Sequence, residues 1–161
     1  MKRMFGLLAA AALLLSVLCA CGGREEEKVI ALEDVYQGIM DAQQDNENGE
    51  LVMFQETSTD VMDGFYPGLA DVELNQQLLY MPAVYGFACE IMLVEVADPA
   101  DVQTAKDILQ ARIDLASSDA NYPENAKPWA RNAQVQEDGR YLCMIVLPDG
   151  YTIPEHVFDL G

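Results

Sequence analysis

Positive charge and histidine are what this chain of 161 residues has least of. Nine Lys and Arg stand against 27 Asp and Glu, giving a formal net charge of −18 and a pI near 4.1. A surface this negative repels phosphate backbones and anionic headgroups, which excludes nucleic acid as a partner and electrostatically held membrane contact. There is a single histidine, His156 in the C-terminal tail, so a His-rich metal site is impossible and any Ser-His-Asp triad would have to use it. Phosphate-cradling glycine loops, G-x-S-x-G, H-E-x-x-H and C-x-x-C are all missing. Asp45, Glu47 and Glu56 fit a calcium loop only superficially: its glycine belongs at the sixth position, and Gly49 is fifth. No catalytic residue, metal site or cofactor is therefore expected. Internal repeats are also absent, and hydrophobic residues at 51% suffice for one ordinary core, so the chain reads as one small domain rather than an acidic disordered tail.

What is there begins with an address. Lys2 and Arg3 precede an uncharged run from Met4 to Ala20 that ends in Leu18-Cys19-Ala20-Cys21, the parts of a secretory signal. A retained membrane helix is the competing reading, since about 17–25 apolar residues span a bilayer. Against it stand the small residue before Cys21, the helix-breaking Gly22-Gly23 after it, and the lack of a following basic cluster. The ending resembles the bacterial lipobox, which implies diacylglyceryl transfer to the Cys21 sulfur and cleavage after Ala20. Two acyl chains anchor stably where one holds only marginally. The expectation is a signal peptide over 1–20, a lipidated tether over 21–28 and one domain over 29–161, lipid-anchored on the extracytoplasmic face of the cell membrane. Loss of the leader leaves 7 basic against 27 acidic side chains. Of the remaining cysteines, Cys89 and Cys143, a disulfide is permitted in that compartment but not required. Both fall mid-strand, so buried free thiols are expected, with no base nearby to activate either.

Along the domain, Val29, Leu32, Val35, Tyr36, Ile39 and Met40 follow one helix face, weakened by Gly38, up to about Gln44. Leu51 to Phe54 is either a short strand or a helical turn, and Thr59 is placed to cap a short helix over Val61 to Phe65. Tyr66-Pro67-Gly68 marks a turn, and Leu74 to Met81 is extended. Tyr85 to Val96 is apolar on both faces and reads as a central strand. Asp98-Pro99-Ala100-Asp101 starts a helix running to about Ser117. Ser117 to Pro128 is turn-rich, with a short helix through Trp129. Asp138-Gly139 predicts a hairpin turn between a polar edge strand and an apolar internal one. The sum is an α+β domain, a mainly antiparallel sheet of three or four strands with helices packed on one side.

A lipobox cysteine, a first helix, YGFACEIMLVEV, DVQTAKDILQARID, a Tyr-Pro loop and DGRYLCMIV together resemble lipoproteins carrying domain of unknown function 4358, found mostly in Gram-positive anaerobes. The resemblance implies a surface lipoprotein without an established activity. It adds no mechanism.

Two groups of side chains stand out as ligand or interaction candidates. Arg112 lies in the middle of the apolar stripe of its helix, where a cation must reach out or find a partner; Glu90, an acid within the strongest strand, is one. A structural ion pair is the plainer reading, and Arg112→Met then costs little if the pair is well replaced. The sharper reading is an arginine that holds a ligand carboxylate in two-point fashion. Tyr122, Trp129 and Tyr141 are placed to line an aromatic rim near the loop and hairpin. The expected function is a non-catalytic binding module facing an envelope protein partner. The alternative is an envelope enzyme, or a small-ligand or cation binder, using Arg112 and acidic residues.

Overall fold

The computed structural model describes residues 29–84 and 87–161; the leader, Cys21 and the tether to Lys28 lie outside the described residues. The elements follow in the order α1 (Leu32–Asp41), β1 (Met53–Glu56), α2 (Thr59–Phe65), β2 (Leu74–Pro82), β3 (Glu90–Val96), α3 (Val102–Ser117), α4 (Pro123–Asn132), β4 (Gln134–Asp138) and β5 (Tyr141–Val146), with short 3-10 turns at Leu69–Asp71, Pro99–Asp101 and Val157–Leu160. The strands form one sheet in the order β1-β2-β3-β5-β4, every neighbouring pair antiparallel. No described helix is long and apolar enough to cross a membrane.

The α+β class holds, but two details of the expectation do not. The sheet has five strands, not three or four, because the short segment at Met53 pairs with β2 as an edge. Its helices cover both faces, not one. The reason is visible in β3 and β5, which are buried at every position. Ile91, Leu93, Cys143 and Ile145 pack under α1 and the C-terminal tail, whereas Met92, Val94, Leu142, Met144 and Val146 pack under α2, α3 and α4. Alternation along a strand sends apolar side chains to both sides, so each side needs a cover.

Local signals behave as physics suggests. Asp98 caps its helix start by accepting from the Ala100 N–H at 2.9 Å. β3 sits at the centre of the sheet and β4 at an edge, as read. The strand expected from Tyr85 starts only at Glu90; Phe87 to Cys89 carry no strand pairing, and Tyr85 and Gly86 lie outside the described residues. The hairpin exists but shifted by one residue: Asp138 pairs with Tyr141, so Gly139 and Arg140 are central. Gly139 takes φ +59°, the conformation that primed turns demand at the first central position. Helix α1 starts at Leu32, leaving Val29 exposed, because Ile30 and Leu32 are bonded to the sheet instead. The Ile30 N–H donates to the Tyr141 hydroxyl at 3.1 Å, and the Leu32 N–H donates to Gln76 Oε1 at 3.3 Å. Gly38 has a packing reason: a Cβ there would stand 2.5 Å from Leu160 Cβ, so the C-terminal turn lies directly on the glycine.

The strand β3 carries two buried acids, five residues apart and hence on opposite faces. Glu95 faces α1. An irregularity between Leu74 and Gln76 lets two successive side chains of β2 address it: Asn75 Nδ2 at 3.0 Å and Gln76 Nε2 at 2.7 Å, joined by Arg140 Nη2 at 3.2 Å. Burial pushes the Glu95 carboxyl up, but the donated hydrogen bonds of Gln76 and Asn75, the Arg140 charge and Tyr141 outweigh it, leaving it below the ordinary glutamate value of 4.5. A carboxyl held lower in the folded state stabilises the fold fully above its unfolded pKa, and that stabilisation is lost as pH falls through the folded one. Glu95→Gln is therefore expected to lower stability at pH 7 and to flatten the loss below pH 4.5, read as urea midpoints from pH 7 to pH 3. An unchanged slope would refute the role.

Candidate functional site

The other buried acid, Glu90, is 2% exposed and faces α3. Its position is set by the first rung of the β3–β5 pairing, opposite Val146. Arg112, in the C-terminal half of α3, meets it with two parallel bonds, Nε to Oε1 at 3.0 Å and Nη2 to Oε2 at 2.6 Å. The Tyr66 hydroxyl donates to the same Oε1 at 2.5 Å. Tyr66 follows α2 and precedes a tight turn in which the Leu69 N–H reaches the Tyr66 carbonyl at 3.0 Å with Gly68 at φ +92°, a type II geometry with Pro67 at its first corner. The guanidinium carbon lies 4.5 Å from the Phe65 ring centroid and 4.6 Å from that of Trp129, so two aromatic rings flank it.

Electrostatics follow from this arrangement. Burial pushes the Tyr66 hydroxyl well above its ordinary range, and the neighbouring Glu90 charge adds to it, so the phenol stays protonated and donates. Burial works against the Arg112 charge, but the hydrogen bonds and charge of Glu90 more than offset it, and its pKa ends raised. Among the described residues no buried side-chain nitrogen or oxygen lacks a partner. The two-point edge of Arg112 is thus spent on Glu90. A ligand carboxylate would have to displace Glu90 to be held in that fashion, and Glu90 has no idle oxygen with which to act as a base.

Arg112, Glu90 and Trp129 therefore come together, while Tyr122 and Tyr141 do not join them. Tyr122 is 57% exposed at the start of α4. Tyr141 opens β5 on the opposite face, where its hydroxyl accepts from Ile30. The expected aromatic rim is therefore overturned: the sheet itself separates Tyr141 from Trp129. Phe65 and Tyr66 are members that sequence reasoning missed, read only as the end of a short helix and the start of a turn; adjacent aromatics before Pro-Gly were the available signal. Helix α4 is longer than expected and runs through Pro128, with Pro123 in its first turn and the buried Trp129 fixing its inner face.

Elsewhere the chemistry is sparse. Cys89 and Cys143 are free and buried. Burial, then the Glu90 charge, pushes the Cys89 thiol up to about 12, and burial raises Cys143 further, so neither is an activated nucleophile. His156 is exposed in the tail beside Glu155. No group of three His, Cys, Asp or Glu side chains among the described residues is placed to hold a metal. Two surface depressions are lined by Gln136, Asp138, His156 and Asp159 and by Arg131, Asn132, Asp149 and Tyr151; neither includes Arg112 or Glu90.

No curated protein and no solved structure matches the chain. A family model does, over residues 47–147, which runs from just before β1 to just past β5 and includes Phe65, Tyr66, Glu90, Arg112 and Trp129, while α1 and the C-terminal tail fall outside it. By that match, the chain belongs to the family described as Domain of unknown function (DUF4358).

Proposed function

We propose that the protein is a lipoprotein anchored to the extracytoplasmic face of the cell membrane through Cys21, whose domain is a non-catalytic binding module for another envelope protein. The anchor rests on Leu18-Cys19-Ala20-Cys21 behind a charged and then apolar leader. The observation that carries the non-catalytic reading is the engagement of the Glu90–Arg112–Tyr66 cluster: on the α3 face of the sheet both Glu90 oxygens, the Tyr66 hydroxyl and the Nε–Nη2 edge of Arg112 are bonded to one another. Such a cluster fixes how α2, α3 and α4 meet β3, leaving recognition to the exposed surface.

The anchor is tested in cells fed an alkyne fatty acid. Label is expected on the wild-type chain and on Cys19→Ala, and none on Cys21→Ala, which is released from the membrane fraction. Label retained by Cys21→Ala would overturn the assignment.

A further inference from the structure

The two edges of the sheet are treated differently. β4 carries Glu137 and Asp138, is braced to α3 by Lys106–Glu137 at 2.7 Å, and its Gln136 side chain holds the tail through Pro154 and Val157. β1 has neither a proline nor a lysine, the usual devices that blunt an edge. The Ala83 N–H donates to the Val52 carbonyl at 2.9 Å, which makes Val52 and Ala83 a hydrogen-bonded pair. Alternation then turns the backbones of Phe54 and Glu56 towards β2 and those of Met53 and Gln55 outward. Among the described residues no backbone group bonds to Met53 or Gln55 from that side. On this edge segment Val52 and Phe54, two residues apart and so on one face, are 60% and 62% exposed, and at the same end of the sheet Val84 and Phe87 of the β2–β3 connection are 61% and 59% exposed. Large apolar side chains left exposed at one end of a sheet mark an interaction surface.

Charge says what fits there. From Val29 to Ala105 the chain has no Lys or Arg, and 15 Asp and Glu. Exposed Glu47, Glu50, Asp60 and Asp63 flank the strand in sequence, and Glu56 ends it. A second copy of this chain would bring the same negative charge to the edge. We infer that β1 is a docking edge for an extended, lysine- or arginine-bearing segment of another protein, which adds to the sheet as a sixth strand, its apolar side chains on Val52 and Phe54 and its cations among these acids. This names the partner class of the binding module proposed above and rests on that reading. Ile30 lies beside Gln76 and Tyr141, and the docking corner lies at the other end of β2, about 20 Å away along the strand.

The test uses the full chain in phosphatidylcholine nanodiscs and a synthetic peptide of alternating Lys and Val, with an alternating Glu and Val peptide as its counterpart. The Lys peptide is expected to bind at least about tenfold more tightly and to slow exchange of the Met53 and Gln55 amides at least about tenfold, with little change at β4. Gln55→Pro, which removes an outward N–H, and Phe54→Lys, which removes the apolar contact and adds a repelling cation, should each weaken binding about tenfold or more, while circular dichroism reports the fold. Equal binding of both peptides, no slowing at Met53 and Gln55, or binding untouched by both variants would overturn the proposal. So would self-association protecting the same amides, which would make the occupant a second copy. Failure of the anchor is read separately, since loss of acylation in cells leaves the peptide result unchanged.

Discussion

Glu90→Leu is expected to destabilise the fold by about 3–5 kcal/mol, the cost of leaving a buried cation without its partner. Arg112 has 11% of its side chain exposed, and the rings of Phe65 and Trp129 close its two faces, so it cannot simply swing into water. The Tyr66 hydroxyl, on a residue that is 0% exposed, loses its acceptor at the same time. In thermal unfolding this amounts to a fall in Tm on the order of ten degrees. Arg112→Met is expected to be costly for the converse reason, because a carboxylate 2% exposed is left with Tyr66 alone. The lenient outcome read from sequence for that single change does not survive the geometry. The double variant Glu90→Leu with Arg112→Met should recover most of the loss, since an apolar replacement of a buried pair is often neutral or stabilising by about 1–4 kcal/mol. Urea denaturation of the three variants measures this directly. Single variants within about 1 kcal/mol of wild type would show that the pair does not hold the fold.

Trp129→Ala comes next, at about 3–5 kcal/mol, the range for emptying a buried large aromatic site. Trp129 is 6% exposed, packs among Leu142, Met144 and the inner face of α3, and forms one wall of the arginine slot. Phe65, the other wall, is only partly buried, so Phe65→Ala should cost distinctly less. The two losses can be resolved into packing and charge. Repeating Trp129→Ala in the Glu90→Leu, Arg112→Met background removes the cation and should shrink the loss by the cation–π share, about 0.5–2 kcal/mol. An identical loss in both backgrounds would assign the whole effect to packing.

These predictions show where sequence reading succeeded and where it stopped. The apolar continuity of β3 and β5 announced central strands, Asp98-Pro99 announced a helix start, and the position of Arg112 on its helix announced a cation in need of a partner. Each of those is a local property, set by periodicity or by a cap that lies within a few residues. The edge strand β1 was ambiguous because four residues carry too little periodicity to separate a strand from a helical turn. The hairpin slipped by one residue because Asp-Gly and Gly-Arg both place the same glycine in the turn. Phe65 and Tyr66 were invisible as partners of Arg112, which is more than forty residues away.

By itself, the sequence determined the charge, the class of the fold, the order of most elements and the signal that points to a lipid anchor. It also established that a buried acid and a buried arginine must be reconciled. Only the tertiary structure decided that they are reconciled with each other, that α1 and the tail cover the second face, that Tyr141 and Trp129 lie on opposite sides of the sheet, and that one edge is braced while, among the described residues, no backbone pairs with the outer side of the other. The physical reason is the same in each case. Whether a polar group is satisfied, or a strand edge covered, depends on which distant segment is packed against it, and that pairing is set by the whole sheet rather than by any stretch of chain.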